Sequence, residues 1–178
     1  KAHVVFEKLK GVLESVVGAY AESEAATNAL KAALENNGMA ADLVAKRYGE
    51  IASKIQDKTA AEDDSIVSGM AMMQSMIGQR EISEETAMAV IDFAAAYKMD
   101  VSQAFQLVGK SVSSGTNASA RYGIEIDAGA SRSQKMTDIT AALSKKFDGQ
   151  AEAQAKGLGS LKQLNNQFGD FKETIGEA

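Results

Sequence analysis

The sequence predicts an all-α protein, with a long N-terminal helical hairpin followed by a bundle of shorter helices and a C-terminal coiled-coil-like helix. Three observations carry that prediction. The 178 residues include 31 alanines and no proline, where average usage would place about nine prolines in a chain of this length. Apolar residues recur at three- and four-residue spacing over most of the chain, the period of a one-faced helix. Six phenylalanines, four tyrosines and no tryptophan leave few large anchors. Alanine faces let helices approach closely while burying little area each, so slender bundles are expected rather than a thick enzyme body.

The elements follow in order. Val5, Leu9, Val12, Leu13, Val16 and Tyr20 keep helical spacing, continued by Leu30 and Leu34, which predicts one helix over residues 4–36 ended by Asn36-Asn37-Gly38. Met39, Leu43, Val44, Tyr48, Ile51 and Ile55 predict a second helix folded back on the first, making residues 1–59 a hairpin region. Residues 60–148 read as a multi-helix region of shorter, more apolar helices. One runs from Ile66 to Ile77; Ser83 offers an N-cap for the next, with Glu84 and Glu85 in its first turn and Val90, Ile91, Ala94 and Ala95 as its buried stripe. Asp100 and Gln103 have capping-box spacing before a helix through Phe105, Val108 and Val112, which Ser113-Ser114-Gly115 closes.

The helical text then breaks. Thr116 or Asn117 caps a short turn that stops at Gly123, where a left-handed residue is expected, and Ile124 and Ile126 alternate with acids as an extended anchor. Met136, Ile139, Leu143 and Phe147 restore the helical period from Ser133, and Asp148-Gly149 interrupts it. Residues 149–178 read as an amphipathic helix in which Leu161, Leu164, Phe168, Phe171 and Ile175 form a short coiled-coil seam, a candidate interface and self-association surface.

Nineteen basic and 24 acidic residues give a net charge of −5, against specific nucleic-acid binding dominated by phosphate contacts. The excess is local, since residues 61–100 hold eight acids and two bases. There is no cysteine for disulfides or thiolate chemistry. The longest charge-free stretch, Ser65 to Gln79, is too short and polar to span a bilayer. A start at Lys1, without a signal pattern, is expected of a piece of a longer parent chain.

Candidate chemistry is sparse. Ala104 to Ser111 ends like a phosphate-binding loop, but its helical period and the absence of a preceding strand favour an ordinary helix end. Met70, Met72, Met73 and Met76 read as adaptable packing or a partner-facing surface rather than a thioether metal site. Asp63-Asp64 and Glu84-Glu85 point apart on helices, so they read as solvated first-turn acids. His3, the lone histidine, reads as incidental, and the Gly157-Leu158-Gly159 pair as a loosening of the last helix. No cofactor, metal or catalytic set is expected, and the chain does not read as an enzyme.

The stretch DVSQAFQLVGKSVSSGTNASARYGIEID, followed by LSKKFDGQAEAQAKGLGSLKQLNNQFGDFKETIG, resembles the N-terminal helical region of phage or prophage tail length tape measure proteins. The likeness covers roughly residues 60–178 and rests on the order of features: a helix ending near Gly-Lys, an Arg121-Tyr122-Gly123-Ile124 turn, a linker, a helix closing on Phe147-Asp148-Gly149-Gln150-Ala151, and Gly159-Ser160-Leu161-Lys162-Gln163-Leu164-Asn165 leading to Gly169-Asp170. The resemblance implies a structural virion protein of the tail lumen, assembled in the host cytoplasm, that sets tail length and aids tail assembly and DNA delivery. It implies tail tube proteins, tail tip proteins and assembly chaperones as partners. It makes Arg121, Tyr122, Gly123, Ile124 and Ile126 a family-like turn with packing duty. The alternative is a helical interaction or membrane-active module, a secreted effector or pore-forming toxin domain in which residues 65–97 rearrange on lipid.

Overall fold

A computed structural model describes residues 2–114, 116–157, 166, 169, 170 and 172, with side chains of the first helix described at Ser15, Gly18 and from Ala21 onward. The regular structure of the described residues is helical, with no strand among them. The elements are α1 (Ala2–Asn36), α2 (Ala41–Lys58), α3 (Asp63–Ile77), α4 (Glu84–Tyr97), α5 (Val101–Ser113), a 3-10 turn (Ala120–Tyr122) and α6 (Arg132–Phe147). Residues 150–157 are helical as well.

Helix ends fall where local chemistry demands. Gly38 ends α1 in the left-handed region (φ 68°), with the Met39 N–H donating to Leu34 and the Gly38 N–H to Glu35 at 2.8 Å. Asn37 braces the same corner, its Nδ2 donating to the Ala33 carbonyl at 2.8 Å and to the Gln74 carbonyl at 3.1 Å. Ser83 accepts the Thr86 N–H, Asp100 that of Gln103 and Ser131 that of Gln134, each satisfying one of the orphan donors that open a helix. The start of α3 is capped from elsewhere. Gln56, in α2, accepts the Asp63 N–H at 2.8 Å. α4 ends on a left-handed residue that is not glycine, Lys98 (φ 51°).

The helices share one continuous apolar core that runs from Ala26 to Ala151 and crosses residues 59–60 without a break. α1 touches α2 but packs more extensively on α3, and it buries Ala26, Leu30, Ala33 and Leu34. α3 lies against α5 at a close crossing. A Cβ on Gly69 would sit 2.4 Å from Cδ2 of the buried Phe105, and one on Gly109 would sit 3.1 Å from Met76 Sδ and 3.3 Å from Met73 Cα. Small residues here let two helices meet where any larger pair would collide. Met70 and Met73 are fully buried, Met76 is half-buried, and Met72 faces outward.

A buried polar knot ties the first half together. The Tyr48 hydroxyl donates to Gln74 Oε1 at 2.7 Å and accepts the Ile82 N–H at 2.6 Å. The Gln74 amide in turn donates to the Gly78 and Arg80 carbonyls, so α2 and α3 fix the link between α3 and α4. Burial pushes the Tyr48 phenol well above its ordinary range. On the surface Arg47 pairs with Glu81, and Lys54 with Glu84 at 3.3 Å.

Candidate functional site

The break at 117–126 is built as a braced corner. Asn117 spans it: its Oδ1 accepts the Ser119 N–H at 3.0 Å, and its Nδ2 donates to the Ile124 carbonyl at 2.6 Å. Ser119 is fully buried, and its hydroxyl lies 2.8 Å from that of Ser111 on α5. Ser111 also accepts the Ser119 N–H and donates to the Leu107 carbonyl, both at 3.0 Å. The 3-10 turn closes at Gly123, whose φ of 70° is the left-handed backbone that the sequence asks for. Lys146 of α6 then grips the Tyr122 carbonyl at 2.8 Å, and the Tyr97 hydroxyl reaches the same oxygen at 3.4 Å.

Tyr122 sits in a knot of four rings. Its centroid lies 5.1 Å from Phe93 and 4.8 Å from Tyr97, both edge-on, and Phe147 lies 5.5 Å from Phe93. Ile124 is buried and Ile126 half-buried against the core, whereas Gly123 and Arg121 are exposed. The Arg121 guanidinium stacks over the Tyr122 ring at 4.9 Å. Tyr122 therefore joins the turn to the rings of α4, and Lys146 of α6 braces its carbonyl. The seam residues Leu161, Leu164, Phe168, Phe171 and Ile175 lie outside the described residues.

The second corner, at Phe147-Asp148-Gly149, is held by a residue that the sequence did not single out. Asp92 of α4, 1% exposed, accepts the Gly149 N–H at 3.3 Å and the Ala151 N–H at 2.8 Å, capping helical residues 150–157 across 57 residues of chain. Burial raises its carboxyl above the usual range, and the two backbone donors pull it partway back. Lys135, also buried, caps the far end of α5 by donating to the Ser114 carbonyl at 2.8 Å. Only the periodic polar positions Asp92 and Lys135 inside apolar stripes hinted at these caps.

Two readings of the acids divide. Glu84 and Glu85 are solvated, as expected, but Asp63 and Asp64 are half-buried rather than solvated. They line a cleft of about 560 Å³ with Glu22, Glu62, Asp170 and Lys172. Desolvation first, then the Asp170 and Asp64 carboxylates, push Asp63 up to about 6. Desolvation also raises Asp64, against a hydrogen bond from Ser23. Their burial has a plain cause: α1 and residues 166, 169, 170 and 172 cover the start of α3, a tertiary event that local sequence does not announce. Among the described residues no group of histidine, cysteine or carboxylate side chains is arranged to hold a metal ion.

Gly109-Lys110-Ser111 is helical throughout, so its backbone amides are spent within α5 and form no phosphate cradle. Side chains at both corners are engaged in capping, ring packing and carbonyl bracing. Comparison with family models, curated proteins and solved structures returned no match for this chain.

Proposed function

We propose that the chain is a non-enzymatic structural segment of a phage tail tape measure protein. In this reading it lies in the virion tail lumen after assembly in the host cytoplasm, contacts tube and tip subunits and assembly chaperones, and contributes to tail length and DNA delivery. The observation that carries the reading is how the two motif stretches are used. Tyr122 of the first and Phe147 of the second meet in one ring cluster on α4, and the polar groups around them are consumed by turn and cap hydrogen bonds. Such corners suit a scaffold that sets the course of a chain. The 35 residues of α1, at about 1.5 Å each, extend about 50 Å, a length suited to a ruler element. The membrane-active alternative would require α3 and α4 to leave a core in which Ile66, Met70, Met73, Val90 and Phe93 are buried. No described helix is long and apolar enough to cross a membrane.

Deleting residues 4–17 from the parent protein tests the proposal by electron microscopy of tails, because these residues precede Ala26, the first described residue of the core. Fourteen helical residues at about 1.5 Å each predict tails shorter by roughly 20 Å. Tails of unchanged length would remove the measuring role. A parent that can be deleted without affecting tails would refute the assignment.

A further inference from the structure

Between α5 and the 3-10 turn lies an open groove of about 580 Å³, to which the corner contributes Arg121 and Tyr122. Its floor is apolar: Met99, Leu107 and Tyr122 are half-buried residues packed on the core from one side and open on the other. Its walls carry Lys110 and Arg121, both exposed. Neither makes an ion pair among the described residues, whose salt bridges involve Lys31, Arg47 and Lys54. The amides of Gln103 and Gln106 add further polar groups to the wall, and no carboxylate lines the groove. Asp100, the nearest acid along α5, is committed to the Gln103 N–H. In a chain of net charge −5, this is a local reversal of sign around an apolar floor.

We propose that this groove docks an acidic amphipathic segment of a partner protein, with an apolar side chain on Met99, Leu107 and Tyr122 and carboxylates on Lys110 and Arg121. The charge pattern selects this occupant. Two cations on an acidic chain hold a polyanion poorly at physiological salt, because each phosphate contact is eroded by counterions and the rest of the protein repels the strand. A short helix bearing two carboxylates around an apolar residue meets both the floor and the walls. Arg121 is already oriented by its stacking on Tyr122, so less side-chain freedom is lost when it pairs bidentately. The docking surface stands on these residues alone and holds whether or not the tail reading does.

The test uses a fluorescent helical peptide in which glutamates flank a leucine stripe, its lysine-for-glutamate counterpart, and a single-stranded thymidine oligonucleotide. Anisotropy titrations are read alongside amide chemical shifts. The glutamate peptide is expected to bind, to shift amides in 99–107 and 118–123, and to weaken as salt rises. The double substitution Lys110→Glu with Arg121→Glu should weaken it at least about tenfold, as expected when two favourable pairs become repulsive. Circular dichroism should not change, and the thermal midpoint should fall only by a few degrees, because the lost Arg121 stacking and the reversed charge in the last turn of α5 each cost at most about 1 kcal/mol. Absence of binding at millimolar peptide, shifts elsewhere on the molecule, or equal binding of the lysine peptide would each overturn the proposal. Tighter binding of the oligonucleotide would overturn it in favour of phosphate recognition.

Discussion

Replacing Gly69 with alanine tests the closeness of α3 and α5. A Cβ there would lie 2.4 Å from Phe105 Cδ2, 3.0 Å from Cγ and 3.2 Å from Cε2. Carbon atoms at rest sit about 3.5–4.0 Å apart, so the new methyl overlaps the ring by about 1 Å. Phe105 is fully buried, and overpacking of a filled core costs about 1–3 kcal/mol. Alanine returns about 1 kcal/mol of helix propensity over glycine. The net expectation is a loss of up to about 2 kcal/mol, or a midpoint lower by up to roughly 8 °C in a domain of this size. Gly49 in α2 is the control, because a Cβ there would meet nothing within 4 Å. Gly49→Ala should therefore raise stability by about 1 kcal/mol. Differential scanning calorimetry and urea unfolding of both variants decide the matter. If Gly69→Ala stabilises as Gly49→Ala does, the close crossing is refuted. Phe105→Leu, which removes the ring edge, should shrink the Gly69→Ala penalty by about 1 kcal/mol when the two are combined.

Other expectations concern the polar braces and the half-buried acid. Asp92→Ala removes a buried acceptor from two backbone donors and should cost about 2 kcal/mol, with hydrogen exchange at Gly149 and Ala151 accelerated more than in α2. Tyr48→Phe keeps the ring but strands the Ile82 N–H and Gln74 Oε1, and should cost about 1–3 kcal/mol by urea denaturation. Asp63 has a folded value of about 6 against 3.8 for the free side chain. The folded state therefore binds the extra proton between those values, and stability falls as pH rises from about 4 to 6. Asp63→Asn should reduce that slope, leaving the part due to Asp64 and Asp92, and stabilise the protein at pH 7 by about 1–2 kcal/mol, allowing for solvent screening, as read from melts across pH. A pH slope identical in the two proteins would contradict the burial of this carboxylate.

The features legible in the sequence are those whose cause is local. Ser83 and Asp100 cap their helices, and Gly38 and Gly123 terminate theirs, because a cap needs only the residues within one turn. Ile124 packs as an extended anchor because alternation leaves it one buried side. What stayed hidden depends on partners far along the chain. Gly69 and Phe105 meet between two helices, Gln56 caps a helix it does not belong to, and Asp92 waits for a corner 57 residues later. Asp63 and Asp64 read as solvated because Glu62 and Ser65 beside them are polar, while the groups that cover them belong to α1 and to residues 166, 169, 170 and 172. The corner at 117–126 was visible as a break, yet its dependence on Lys146 and the rings of α4 was not.

The corner that ends α1 also bears on how the protein ages. Asn37-Gly38 is the dipeptide most prone to spontaneous deamidation, in which the glycine amide nitrogen attacks the asparagine side-chain carbon, ammonia leaves, and the cyclic imide opens with water to aspartate or isoaspartate. Here the attacking nitrogen is held by the Glu35 carbonyl, and the leaving amide is held by the Ala33 and Gln74 carbonyls. The reaction must wait for the last turn of α1 to open, so the mass gained at Asn37 over storage records how often that helix end frays.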